Sequence, residues 1–409
     1  MYNKGKYIII QSLLIVLSPI SSLLVSLRMY KSTISQIFFV LFAIYLGYYM
    51  GFVYDLMRHF QDLPMLYRGR DWNEIVNDFR VYYLGSDYYH IIVKYIVSRF
   101  TDSRQVFGAV ASGLYAISFV FFFRQFRRYY LEKNSYFSVV LLLCVSTVVE
   151  FFWYQGFRFW IGVYVFMGFY IKFINTKNYW YLLGTLLAMF FHFTLVVLVG
   201  TVVLNRLLAF TGKYVRWLLV GFSLFIKSLN IDFVPLMLRY IPWTNGLGIA
   251  LTDEKIRGNT LEHMAEMREM GNSVYNNRMT FMIFCGLLFM LFLRKIKVPF
   301  DKHYGKMFYF AMTLYTIANF GYGDITFYTR FLQAAVLMFY CYLFIISVKN
   351  KRAISKYSMT LFIVALLPLG YSVAIALAQI RAYFFHPELI FGNFFMEWDG
   401  NALNIDYDW

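Results

Sequence analysis

Charge is what this sequence has least of. Asp, Glu, Lys and Arg make up 15% of its 409 residues, against about 25% in an ordinary soluble domain. With 60% hydrophobic residues and a mean hydropathy of +0.55, the chain falls outside the soluble globular class. Cysteine is nearly absent. Cys144, Cys285 and Cys341 stand far apart inside apolar runs, so neither a disulfide framework nor a metal site is indicated. There is no Walker loop, dinucleotide glycine pattern, Gly-x-Ser-x-Gly or His-Glu-x-x-His. ATP hydrolysis, redox cofactors and zinc proteolysis lose their basis, and no cofactor or metal is expected. Acidic residues are few as well, 22 against 38 basic, for a net charge of +16. A soluble protein so basic would suggest nucleic acid. Here the cytoplasmic loops of a membrane protein account for much of the excess, and no nucleic-acid partner is expected. The remaining positive charge lies in exterior loops, where it can meet anionic headgroups or a pyrophosphate.

What the chain has in abundance is apolar runs, many of about 17–25 residues, the length that crosses a bilayer as helix. They predict an all-α polytopic integral membrane protein, one domain over 1–409, with about twelve transmembrane helices. The spans are Tyr7–Leu27, Ile34–Val53, Gln105–Phe126, Ser135–Trp153, Phe157–Ile174, Val215–Asn230, Met279–Lys297, Tyr304–Phe320, Tyr328–Val348 and Tyr357–Ile380. Asn178–Leu208 is too long for one span and reads as two short helices that meet near His192. Lys4 and Lys6 before an apolar run mimic a signal peptide, but no small-residue cleavage site follows, so a retained first span is expected. No internal repeat or low-complexity linker is visible.

Four basic clusters set the orientation: Arg124–Lys133, Arg206–Arg216, Arg294–Lys297 and Lys349–Lys356. The positive-inside rule makes these loops cytoplasmic. Residues 54–104, 231–278 and 381–409 are then exterior. The 54–104 segment is charged and Tyr-rich, with Asp55, Arg58, His59, Asp62, Arg68, Arg70, Asp71 and Arg80. Within it Tyr88–Phe100 carries His90, Lys94 and Arg99 and is too short to span, so it reads as a re-entrant or interfacial helix. That parity leaves Lys4 and Lys6 outside, against the charge rule. In the 231–278 loop an amphipathic helix is expected over 259–270, with Leu261, Met264, Met267 and Met270 as a flexible apolar stripe. The 381–409 tail is acidic and aromatic.

Chemistry has to come from arginines, acids and a lone histidine. Arg158 stands in the aromatic stretch Phe151–Gly162, with Glu150 just before it and His192 in a later apolar run. A charge at bilayer depth costs roughly 2.5–3.5 kcal/mol and marks a functional candidate, while an interfacial Arg is cheap. Arg58, Arg158, Arg278 and Arg330 each fall near the exterior end of a span. Guanidiniums gathered at one mouth would grip an anion such as a pyrophosphate through their planar forks; singly, each is an ordinary interfacial anchor. His192 is a candidate general base, as are Asp55 and Glu150, although a buried histidine satisfied by a neighbouring helix would look the same. Asp324 can pair with Arg330. Trp153 and Tyr154 can stack on sugar rings or simply belong to an interfacial belt.

The order of these features resembles the EpsG-like branch of the Wzy-type oligosaccharide repeat-unit (O-antigen or exopolysaccharide) polymerases. The resemblance is carried by Asp55-Leu-Met-Arg58-His, Gly156-Phe-Arg158-Phe-Trp-Ile-Gly162, Phe191-His192-Phe-Thr and Tyr328-Thr-Arg330-Phe, over residues 50–350. It implies a membrane glycosyltransferase of GT-C-like architecture in the bacterial inner membrane, its active site facing the periplasm. It implies transfer of a growing glycan from undecaprenyl pyrophosphate to the non-reducing end of another lipid-linked repeat unit, with a chain-length regulator protein as a further partner. Arg158, Arg278 or Arg330 would stabilise the departing pyrophosphate, and Tyr328 would belong to the substrate site. Competing readings are an O-antigen ligase and a lipid-linked oligosaccharide flippase. The missing internal repeat and the one-sided 231–278 loop count against the flippase.

Overall fold

The computed structural model describes residues 4–30, 32–49, 54–83, 88–126, 136–149, 156–229, 277–299, 303–322 and 325–383. Nearly all of them are helical, and no strand occurs among the described residues. Among the described residues four helices are long and apolar enough to cross a membrane: Arg104–Arg124, Arg158–Thr176, Asn277–Lys295 and Phe327–Lys349. Shorter apolar helices accompany them. The expected helix at 259–270 and most of the 381–409 tail lie outside the described residues, as do Glu150, Trp153, Tyr154 and Asp324.

The chain divides into two units, one of Met1–Glu132, Phe151–Val196 and Leu377–Trp409, the other of Lys133–Glu150 and Val197–Ala376. In the first, helix Thr33–Tyr49 runs antiparallel to Arg104–Arg124. Arg124 Nε donates to Gln36 Oε1 at 2.7 Å at one end. At the other, a Cβ on Gly47 would stand 2.4 Å from the Gly108 carbonyl oxygen, so only glycine permits this approach. Small residues at such contacts are the usual route to tight packing where lipid offers no hydrophobic drive between helices.

The single span expected over Tyr7–Leu27 is not formed. Lys4–Leu17 and Pro19–Arg28 are separate helices, broken at Ser18 before a proline that cannot continue the hydrogen-bond ladder. At about 1.5 Å per residue neither reaches across a hydrocarbon core of roughly 30 Å. They fold back on one another around Gln11, which is fully buried. Its amide donates to Ser26 Oγ at 3.3 Å and its carbonyl accepts from Ser22 Oγ at 2.7 Å. Tyr7 Oη pairs with Ser35 Oγ at 2.7 Å, bringing the N-terminal end of this hairpin to the start of helix Thr33–Tyr49. A polar group buried in an apolar setting must find partners, and these are the ones the fold supplies.

In the second unit the long apolar helix Phe327–Lys349 is the buried one, with its apolar stretch enclosed on all sides. Two of its polar groups reach specific neighbours: Ser347 Oγ donates to Ser138 Oγ at 2.9 Å, and Tyr340 Oη to the Met282 carbonyl at 2.9 Å.

Candidate functional site

Arg158 occupies the first turn of helix Phe157–Thr176, which opens after Gly156. That places the guanidinium-bearing residue at a helix end, half-buried. Next to it in sequence, Phe159 meets the His192 ring edge-on, centroids 5.8 Å apart. His192 itself is the break between Trp180–Phe191 and Phe193–Leu207, a single extended residue with φ −157° and ψ 128°. The close approach of the break to the Arg158 helix depends on Gly162. A Cβ there would fall 2.2 Å from Leu195 Cδ1 and 3.0 Å from Phe191 Cβ.

The break also fixes how the imidazole can act. The Thr194 backbone N–H donates to His192 Nδ1 at 3.2 Å, and the Thr194 hydroxyl stands 2.8 Å from the same nitrogen. A backbone N–H can only donate, so Nδ1 is the acceptor and the neutral ring carries its proton on Nε2. His192 therefore presents a donor at Nε2, where the residue pattern alone suggested a general base.

Phe191 leads from this break into the segment before helix Arg104–Arg124. Its ring lies 4.8 Å from that of Tyr89, on helix Tyr88–Phe100. That same helix carries Lys94, buried, whose ammonium donates to Asp62 Oδ2 at 2.7 Å and to His59 Nδ1 at 3.3 Å. His59 and His90 bring their rings to 5.0 Å, and Lys94 Nζ lies 4.7 Å over the Tyr67 ring. Burial by itself would raise the Asp62 carboxyl. The neighbouring His59 ring, its Nδ1 3.7 Å from Oδ2, and the charge of Lys94 overcome this and hold it below the ordinary carboxylate range. The sequence named these residues only as part of a charged loop. Their one local signal is spacing, His59 three residues before Asp62 and His90 four before Lys94, each pair on one helical face. The backbone of Asp55 and Arg58 lies in helix Tyr54–Asp62; their side chains are outside the description.

The other expected site residues belong to the second unit. Arg278 is fully buried. One guanidinium nitrogen donates to the Thr147 carbonyl at 2.6 Å and the Val148 carbonyl at 2.9 Å, and Nε donates to Ser372 Oγ at 3.3 Å. These carbonyls close helix Tyr136–Thr147, where unsatisfied acceptors and the negative helix end favour a cation. This is the geometry of a clamp within the fold. Tyr328 is buried and accepts from Lys227 Nζ at 2.6 Å, with Tyr322 edge-on at 4.9 Å. Arg330, half-buried, follows one half-turn on in helix Ile325–Lys349. Lys227 had drawn no attention in the sequence, since it ends an otherwise apolar run. The second unit also holds an apolar cavity of about 260 Å³ between Trp217, Leu224, Ile283, Phe308 and Phe339.

No family model, curated protein or solved structure matches the chain.

Proposed function

We propose that the chain is a membrane glycosyltransferase that joins lipid-linked oligosaccharide repeat units at the exterior face of a bacterial inner membrane. Its reaction would move a glycan from undecaprenyl pyrophosphate to the non-reducing end of a second lipid-linked unit. The observation that carries this reading is the neighbourhood of Arg158 in the first unit. Arg158 opens the helix whose next residue, Phe159, packs on the His192 ring, Nε2 of that ring is a donor, and Phe191 before it meets Tyr89 on a helix bearing a buried ammonium.

Departure of a lipid pyrophosphate concentrates negative charge on its bridging oxygen. Donors already in place for that charge lower the barrier, and loss of one costs about 10²–10³ in rate. Arg158 suits the role through its fork and His192 through Nε2–H. The short sequence elements that resemble those of the EpsG-like polymerases support the same reading.

The test is the glycan made by cells lacking the protein. Surface glycan capped at one repeat unit, restored to a ladder by the wild-type chain, is the expected result. A normal ladder in the deletion overturns the reading, and full-length polymer retained on its lipid carrier identifies a ligase instead.

A further inference from the structure

We propose that Asp62 is the carboxylate that takes the acceptor hydroxyl, with Lys94 and His59 as the positioning residues that hold it. The inference rests on the transfer reading above and supplies the base that His192, a donor at Nε2, cannot be.

The geometry is specific. Both polar partners approach the same oxygen of Asp62, Lys94 Nζ at 2.7 Å and His59 Nδ1 at 3.7 Å from Oδ2. That leaves Oδ1 to accept from outside. Lys94 and His59 are 3% and 4% exposed, while the Asp62 side chain keeps 27%. Of the three, the carboxylate is the member an incoming molecule meets. Burying an ammonium is expensive, and an apolar pair would tie two helices together as well or better. A charge retained at that cost, with its counter-charge turned toward the surface, points to chemistry.

The ligand class follows from the groups on offer. An ionised carboxylate accepts hydrogen bonds from neutral hydroxyls, and aromatic faces nearby suit sugar rings. Trp72 and Tyr95, centroids 5.1 Å apart, pack on the small cluster beside Tyr67. In the step itself, the acceptor hydroxyl oxygen bonds to the anomeric carbon. The bond from that carbon to the pyrophosphate oxygen breaks, and its electron pair leaves on the pyrophosphate. The hydroxyl proton passes to Asp62 Oδ1 and from there to water. The anomeric centre is oxocarbenium-like in such transfers, so the attacking hydroxyl grows acidic as its bond forms. A carboxylate that stays ionised is base enough.

The titratable and charged groups at the Asp62 carboxylate are His59 on its own helix and Lys94 on helix Tyr88–Phe100; behind them stand His90 against the His59 ring and Tyr67 under the Lys94 ammonium. Activity needs the ionised carboxylate, so it is present above the Asp62 pKa and lost on acidification through it. In the wild type that limb lies below the ordinary carboxylate range. Removing Lys94 takes away a lowering influence and leaves burial in place, so the limb must move to higher pH.

The experiment uses the full chain in lipid nanodiscs, with lipid-linked repeat units drawn from cells lacking the protein, and reads ladder formation against pH. Asp62→Asn should slow the ladder about 100-fold or more at every pH. Lys94→Met should lower the rate at every pH, because the carboxylate is no longer held, and should move the acid limb of the remaining activity to higher pH. Asp62→Asn at the wild-type rate, or a Lys94→Met limb that does not move, overturns the inference alone. If Asp62→Asn fails to insert, the Lys94→Met limb decides. A wild-type chain that builds no ladder overturns the transfer reading, and the inference falls with it.

Discussion

Two arginines in this chain are put to opposite uses. Arg278 spends its donors on backbone carbonyls and Ser372 within the fold, whereas Arg158 stands half-buried at a helix end, one residue before the Phe159 ring that packs on His192. Arg278→Ala should therefore act on stability, costing about 3–5 kcal/mol because carbonyls are left buried and unpaired. Arg278→Lys should recover little, since an ammonium cannot reproduce a planar fork across two carbonyls and a hydroxyl. Thermal unfolding in detergent reads both. Arg158→Ala should leave that transition in place and lower ladder formation by about 10²-fold. At His192 the fixed tautomer gives a sharper test. Gln can place an amide N–H near the position of Nε2, so His192→Gln should retain at least about tenfold more activity than His192→Ala. Equal rates for the two variants would return His192 to the role of base.

At the scale of elements, the contact that builds the first unit's site is Gly162 against the His192 break. Gly162→Ala should push Leu195 and Phe191 outward, cost about 1–3 kcal/mol from overpacking and reduce transfer. Because the nearest obstruction is Leu195 Cδ1, adding Leu195→Ala should bring activity closer to wild type than the two single effects predict. A double-mutant cycle measures that coupling, and strict additivity would count against the close approach. The break itself was legible, because Phe190-Phe-His-Phe-Thr194 interrupts a run too long for one helix. The helical character and the short Tyr88–Phe100 segment were legible from run length as well. The N-terminal hairpin was not. Ser18-Pro19 is a weak stop inside 21 apolar-looking positions, and it becomes decisive only when Gln11 finds Ser22 and Ser26. Nor was the Asp62–Lys94 pair legible, since its members are 32 residues apart. Positions 55, 58, 59 and 62 recur at helical spacing, yet that stripe does not name its partner. The burial of Phe327–Lys349 was hidden for a related reason: hydropathy is equally high on a helix facing lipid and one packed at the centre of a unit.

For the whole molecule the hairpin changes how the charges sort across the bilayer. With Tyr7–Leu27 as a span, Lys4 and Lys6 had to lie outside, against the positive-inside rule. Folded back, the hairpin begins and ends at one level: Tyr7 reaches Ser35, and Tyr30 packs edge-on against Phe123 at 6.5 Å. Arg124 meets Gln36 at that same end. Positions 4, 6, 28 and 124 thus belong to one end of the first unit, and helix Thr33–Tyr49 leads away from that end. The charge rule then predicts a cytoplasmic basic end and an exterior Asp62–Lys94 cluster, with no exception made for either. Single cysteines introduced at exposed positions test this in intact cells, where the three buried native thiols contribute little background. Asn73→Cys should react with a membrane-impermeant maleimide, while Gly5→Cys and Thr211→Cys should react only after permeabilisation. Labelling of Gly5→Cys from outside would restore the single first span, return the parity conflict, and leave the exterior placement of Asp62 resting on the arginines alone.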